Sequence, residues 1–453
     1  MKNSRRIKRP RVIYANEALY VSPSATGYHF GNNTLTDSGC NLRNIPYSGC
    51  SGNLVRQLAR VQNINYGLTI NRTDANQFGQ AARIASPMIT SPDVTLNFEY
   101  LISDGYNESL MDFIIDGERS TFGNHISNEG GIGLNFFILT AEEGQDVIGS
   151  NLLTNQHKKG VLGIGNAHLT EYAITAQVGE IPKARASYDG FNMRSYTGVC
   201  NLPVPSLNPA QSASRGECSD VRFSIPDVFT SFDCPCETDY MEHFSICEGT
   251  SALRPGDILV DLDAIGLLSE QLSGFDESYN EKRGAAHIQG FTINVPFGST
   301  RIHRIGRHIE FARALNFPVN ASVEINALVG NLKKAGIFEL FDVKDETSSY
   351  SAYNKDVCRP KYNLKFMLNV CGGVACDNAS SFKQIETSMS VELRDVTLDS
   401  EAFSSSISDN KMVTLKMSVP IGSEDDKGKG MFVSGRCDFW ERPLVLAFGK
   451  SLL

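Results

Sequence analysis

Apolar and polar residues alternate with a period of two in several well-separated stretches. Val94-Thr95-Leu96-Asn97-Phe98-Glu99-Tyr100 is one, and Ala321-Ser322-Val323-Glu324-Ile325-Asn326-Ala327 is another. Side chains on a strand point alternately to its two faces. The pattern therefore predicts strands with one buried and one wet face, as in an antiparallel sheet packed on one side. Ile174 to Val178, then Gly179-Glu180-Ile181-Pro182, then Lys183 to Tyr188, reads as strand, turn, strand. Helical signal is thin. Ile265, Leu268 and Leu272 have helical spacing within 263–272, with Asp257, Asp261 and Asp263 as acids at the helix start. Ser109–Ile115 reads as a short helix or strand, and Lys333–Phe341 as a short helix.

The strands recur. Asn76–Ile102 aligns with His303–Val329 without a gap at an offset of 227, Gly79 falling on Gly306 and Leu101 on Leu328. Upstream, Leu68-Thr69-Ile70-Asn71 returns as Phe291-Thr292-Ile293-Asn294 at an offset of 223, so the second copy carries a four-residue insertion in the loop. A weaker block, Leu169–Tyr188, matches Leu398–Met417 at an offset of 229; Ile174 meets Phe403 and Ala184 meets Val413. Blocks that agree in order and spacing indicate an internal duplication. The expected fold is mainly β: two homologous antiparallel β-sandwich or barrel domains with short flanking helices. The expected divisions are an N-terminal arm and leading strands (1–60), a first domain (61–192), an irregular connection (193–258) rich in proline and cysteine, and a second domain (259–453).

Composition narrows the function. The chain has 453 residues, 41% hydrophobic and 21% charged, enough to build packed cores. It has no apolar run of the ~20 residues that span a bilayer, and no apolar signal-peptide core after the basic start. Its 11 cysteines are therefore expected to be mostly reduced thiols. The net charge of −9 argues against a general nucleic-acid binder. Six of the first eleven residues are nevertheless basic: Lys2, Arg5, Arg6, Lys8, Arg9 and Arg11. They read as an arm that docks on an acidic surface of a neighbouring subunit.

Catalytic patterns are lacking. Cys234-Pro235-Cys236 is too tightly spaced for a usual zinc pair, and Cys371…Cys376 has no second pair nearby. His303 and His308 have ligand spacing but stand far from those cysteines. Gly163 and Gly165 are a fragment of a glycine-rich loop, with His168 where the third glycine belongs. Gly449-Lys450-Ser451 lacks the leading glycine of a phosphate loop, Leu444 standing in its place. The sequence nominates no catalytic residue, metal ligand or cofactor.

Arg60–Arg72, Asn76–Gly79, Pro92–Phe98 and Val178–Ala184 resemble the tail tube (major tail) proteins of long-tailed bacteriophages. The resemblance spans roughly 61–190 well and 284–420 more weakly. It implies a non-enzymatic virion protein, made in the host bacterial cytoplasm. Chains with two fused tube domains in this family build pseudo-hexameric rings from three copies, stacked into the tail tube through which DNA is ejected. Implied partners are further copies of the chain, a tape measure protein in the lumen, tail terminator and distal tail or baseplate proteins, and DNA in transit; no membrane is implied. The polar strand faces, Thr95, Asn97 and Glu99 with Ser322, Glu324 and Asn326, are the expected lumen lining. Other readings of a duplicated β-chain are a distal tail, hub or head-decoration protein and, in a different class, a carbohydrate-active enzyme on β-sandwiches.

Overall fold

A computed structural model describes residues 17–23, 56–103, 105–127, 133–140, 160–197, 258–264, 286–303, 305, 312–329, 362–369, 387–404 and 412–435. In chain order its elements begin with β1 (Glu17–Pro23), β2 (Arg56–Gln57), β3 (Val61–Thr69), β4 (Asp93–Leu101), α1 (Tyr106–Leu110) and α2 (Gly123–Ser127). Next come β5 (Leu134–Thr140), β6 (Gly160–Gln177), β7 (Lys183–Gly190), β8 (Asn192–Thr197), β9 (Ile258–Ala264) and β10 (Ala286–Pro296). Last are β11 (Ser299–Ile302), β12 (Ala312–Leu315), β13 (Asn320–Val329), β14 (Tyr362–Asn369), β15 (Thr387–Ser404), β16 (Met412–Pro420) and β17 (Gly430–Gly435). Among the described residues every strand pairing is antiparallel. The protein is mainly β.

Two sets of strands follow one plan. In the first, β3-β4-β7-β6 form one sheet and β1-β5-β6-β8 the other. In the second, β10-β13-β16-β15 and β9-β14-β15-β17 repeat that order. The 18-residue strands β6 and β15 each serve both sheets. Each carries a bulge where it passes from one to the other: Thr170 is skipped opposite β7, and Asp399 is skipped opposite β16. A bulge bends and twists a strand, which lets one strand turn the corner of a sandwich. The shared offset of 229 puts the two bulges at the same place in the repeat. A further matching bulge lies between Leu134 and Phe136 on β5, and between Tyr362 and Leu364 on β14.

Alternation decides what is buried. Val94, Leu96, Phe98 and Tyr100 are buried, as are Ala321, Val323, Ile325 and Ala327. Phe98 stacks on Tyr188 of β7 and packs on Phe136 of β5, which binds the two sheets of the first set. Beneath them lies a buried carboxylate. Glu108 of α1 is buried and accepts from the hydroxyls of Tyr100 (2.7 Å) and Tyr172 (3.0 Å). Burial, and then the nearby carboxylate, holds both phenols protonated well beyond the ordinary tyrosine range. His125 of α2 is also buried, its Nε2 3.2 Å from the carbonyl of Met111, and burial pushes its pKa down to about 4.

The sequence-based expectations shift in three places. Asp261 and Asp263 lie in β9, paired with Lys365 and Asn363 of β14, so they are strand residues and not helix-start acids. The Ile258–Ala264 run is apolar enough to complete a sheet by pairing along β14; Asp257 and the helical spacing of 265–272 lie outside the described residues. Ser109 and Leu110 close α1, and the chain leaves helical geometry at Met111–Asp112, whose φ is +66° at Asp112. β8 occupies the start of the stretch read as a connection. Its proline- and cysteine-rich remainder, the helix expected at Lys333–Phe341 and the basic arm from Lys2 to Arg11 lie outside the described residues.

His125 gives a pH test. Its folded pKa of about 4 lies below the ordinary 6.5, so its contribution is complete above pH 6.5 and is lost as pH falls toward 4. The loss over that window is about 3 kcal/mol. Urea unfolding at pH 7 and pH 4.5 should show a smaller acid loss for His125→Phe than for wild type; equal losses would exclude His125 as the source.

Candidate assembly interface

The two sets meet where β6 pairs with β10, from Gly290 opposite Gln177 to Pro296 opposite Glu171. This makes one eight-stranded sheet, β3-β4-β7-β6-β10-β13-β16-β15. Gly290 lies at the crossing, where a Cβ would stand 2.8 Å from the carbonyl oxygen of Ala176, so a side chain is excluded. Phe291, Ile293 and Ile174 are buried by the junction.

Two more contacts brace it. The β11–β12 hairpin leans onto the ends of β4 and β7. Arg301 bonds Asp93 and grips both carboxylate oxygens of Asp189 (2.7 and 2.5 Å). Arg313, whose side chain is 1% exposed, donates to the Asp189 carbonyl (2.7 Å) and lies over the Phe191 ring. In the other sheet, Ile115–Thr121 runs along β17. The amides of Gly117 and Thr121 donate to the carbonyls of Val433 and Met431, and that of Gly435 donates to Ile115. Arg119 then pairs with Glu424 at 2.9 Å.

The ends of the sheet are different. Among the described residues β3 pairs only with β4, and the 397–404 stretch of β15 only with β16. The repeat equates Leu68 and Ile70 with Phe291 and Ile293, yet they are 42% and 43% exposed where their counterparts are 4% and 0%. Gly67 stands where β10 has Gly290. Nothing among the described residues explains a glycine there, since an added Cβ would meet only Thr95 Oγ1 at an ordinary 3.5 Å. The 70–92 hairpin is exposed along most of its length, and Phe78 at its tip is fully exposed, as is its counterpart Ile305.

The polar face of the sheet holds Thr95, Asn97, Glu99, Ser322, Glu324 and Asn326, exposed or half-buried, opposite the buried apolar set. Glu99 lies directly across from Arg185, and Glu324 from Lys416, 3.8 Å away. Glu171 sits 3.8 Å from Arg185. This face is thus polar with acids and bases interleaved, a feature that alternation alone did not reveal. Among the described residues no group of three or more His, Cys, Asp or Glu could hold a metal ion, and no helix is long and apolar enough to cross a membrane.

No family model matches this chain, and no curated protein matches it. Solved structures do. The sheath–tube complex of an extracellular contractile injection system aligns at 8% identity and a TM-score of 0.22, over 39% of this chain and 88% of that one. The baseplate of the anti-feeding prophage aligns at 11% identity and 0.21, over 40% and 93%. An Hcp protein aligns at 8% identity and 0.19, over 39% and 98%.

The hairpin clamp should be worth measuring by urea unfolding. Asp189→Ala leaves the buried Arg313 guanidinium without its carboxylate and should cost about 3–5 kcal/mol. Asp93→Ala, at a side chain 40% exposed and partly screened, should cost about 1 kcal/mol or less. Equal costs would contradict this division of work.

Proposed function

We propose that the chain is a tube-forming structural protein in which three copies close into a pseudo-hexameric ring, and rings stack into a tail tube. The single observation that carries this is the matched pair of sheet ends. β3 occupies the place in the first set that β10 occupies in the second, and β15 the place of β6. The junction made once inside the chain can therefore be made again between chains. Applying the β10–β6 register, Ile70 falls opposite Phe403 and Asn71 opposite Ala402 of the next copy. That pairing covers Ile70; by analogy with Gly290, Gly67 is proposed to meet the chain that follows Ser404, which lies outside the described residues.

Closing the sheet removes the edges that would otherwise template aggregation. With the apolar face buried under the outer sheets, Thr95, Asn97, Glu99, Ser322, Glu324 and Asn326 line the lumen. Paired acids and bases there leave few fixed cations to hold phosphates, which suits passage of DNA without retention. The exposed tips at Phe78 and Ile305 and the basic arm are the groups proposed to contact neighbouring rings. The proposed units are 61–192 and 259–453, joined by 193–258, and the proposed setting is a virion or tail-like particle with tape measure, terminator and baseplate partners. The duplicated sheet serves this work without catalytic chemistry.

Electron microscopy and mass measurement of the purified protein test the reading. Rings of three chains that stack into tubes are expected; six chains per ring, or monomers at all concentrations, would overturn it. Gly67→Val should melt within a few degrees of wild type but remain monomeric, because the added side chain meets backbone only in the assembled junction. Rings formed normally by this variant would rule out β3 as the closing strand.

A further inference from the structure

We infer that the 70–92 hairpin seats on the Asn320–Ser418–Pro420 corner of a second copy of this chain, and that charge keeps this contact distinct from its counterpart within the chain. The inference rests on the ring proposed above and names what holds its chain-to-chain joint.

The two hairpins share one register. Arg72 bridges Met88 and Ala75 bridges Ala85; adding 227 gives Ser299 opposite Leu315 and Ile302 opposite Ala312, the pairs formed by β11 and β12. Asp74 and Ser86 therefore stand at the positions of the cross-strand pair Arg301 and Arg313. The corner that those arginines grip is also duplicated. Asp93 corresponds to Asn320, Asp189 to Ser418, and Phe191 to Pro420, since Asp93 starts β4 as Asn320 starts β13, and Thr95 faces Asp189 as Ser322 faces Ser418. One hairpin lies on its corner within the chain. Its twin has most of its length exposed, and Asn320 at the twin corner is exposed.

Both sides of the contact change together. The arginine pair is absent from the 70–92 hairpin, and the aspartate pair is absent from the corner it would meet. Wrong combinations are costly. The 70–92 hairpin on a first-set corner would bring Asp74, whose basic neighbour among the described residues is the exposed Arg83 at 3.0 Å, against both Asp93 and Asp189. The β11–β12 hairpin on a second-set corner would set Arg301 and Arg313 against Asn320 and Ser418, where the aspartate pair is missing and the carboxylate at hand, Asp399, is already bonded by the Ser418 hydroxyl at 3.1 Å. Each hairpin thus fits only the other set, which enforces strict alternation of the two sets around a ring. Close to the second corner, the 422–429 loop carries Glu424, Asp425 and Asp426 with Lys427 and Lys429, and the hairpin carries Arg72 and Arg83 with Asp74; within the chain Glu424 is held by Arg119 and Arg83 by Asp74.

The test is a graft followed by dilution, with ring dissociation read by single-particle mass. Asp74→Arg with Ser86→Arg should weaken ring association about tenfold or more. Asn320→Asp with Ser418→Asp added to those changes should restore it, giving a coupling of at least tenfold between the two pairs. Independent effects of the two pairs would overturn the inference. A second measurement needs no variant: amides at 72–88 should exchange more slowly in rings than in monomers, while those of the paired strands β11 and β12 are slow in both. Equal exchange of 72–88 in ring and monomer would also overturn it. Wild type that forms no rings removes the ring reading and this inference together, whereas rings without coupling remove this inference alone.

Discussion

The β6–β10 junction is the contact on which the rest of the structure depends. It turns two four-stranded layers into one eight-stranded sheet through backbone hydrogen bonds, which any pair of strands can make. What makes this pair specific is the absence of a side chain at Gly290 and the apolar cover given by Phe291, Ile293 and Ile174. Backbone pairing supplies the joint; side chains decide which strands may approach closely enough to form it.

A junction inside a duplicated chain carries a structural consequence. The strands that would make the same contact at the other ends stand at the sheet edges, with their apolar side chains half-covered. Open edges invite association with any available strand. The 70–92 hairpin beyond β3, and the alternation of charge between the two hairpins, restrict which partner an edge can accept. Inside the chain the same location is closed by buried arginines on aspartates, a contact strongly dependent on both partners being present. The internal joint relies on that contact, whereas the proposed external one lacks both the arginine pair and the aspartate pair and can assemble late.

The polar face follows a different logic. Its side chains need only be wettable, so their identities vary between the two sets: Glu99 and Arg185 face each other in the first, and Glu324 and Lys416 one step along in the second. The apolar face tolerates no such drift, because Leu96, Phe98, Val323 and Ile325 fill a dense core. The repeat is consequently most legible where it is buried.

The sequence by itself determined the strand type, the buried and wet faces and the duplication, because a period-two pattern and a fixed offset are local properties written along the chain. Those offsets also survive in the pairings: the bulges at Thr170 and Asp399 are 229 apart. The sequence did not reveal that β6 and β15 each serve two sheets, that Asp261 and Asp263 belong to a strand, or that Arg301 and Arg313 meet Asp93 and Asp189 across more than a hundred residues. Charged residues at a strand end carry no periodic signal naming their partners. Whether an arginine is solvated or buried on a carboxylate depends on which hairpin folds over which corner, and only the tertiary arrangement decides that. The same reason hid the meaning of Gly290: a glycine forced by a close backbone approach is recognisable only once it is seen against Ala176.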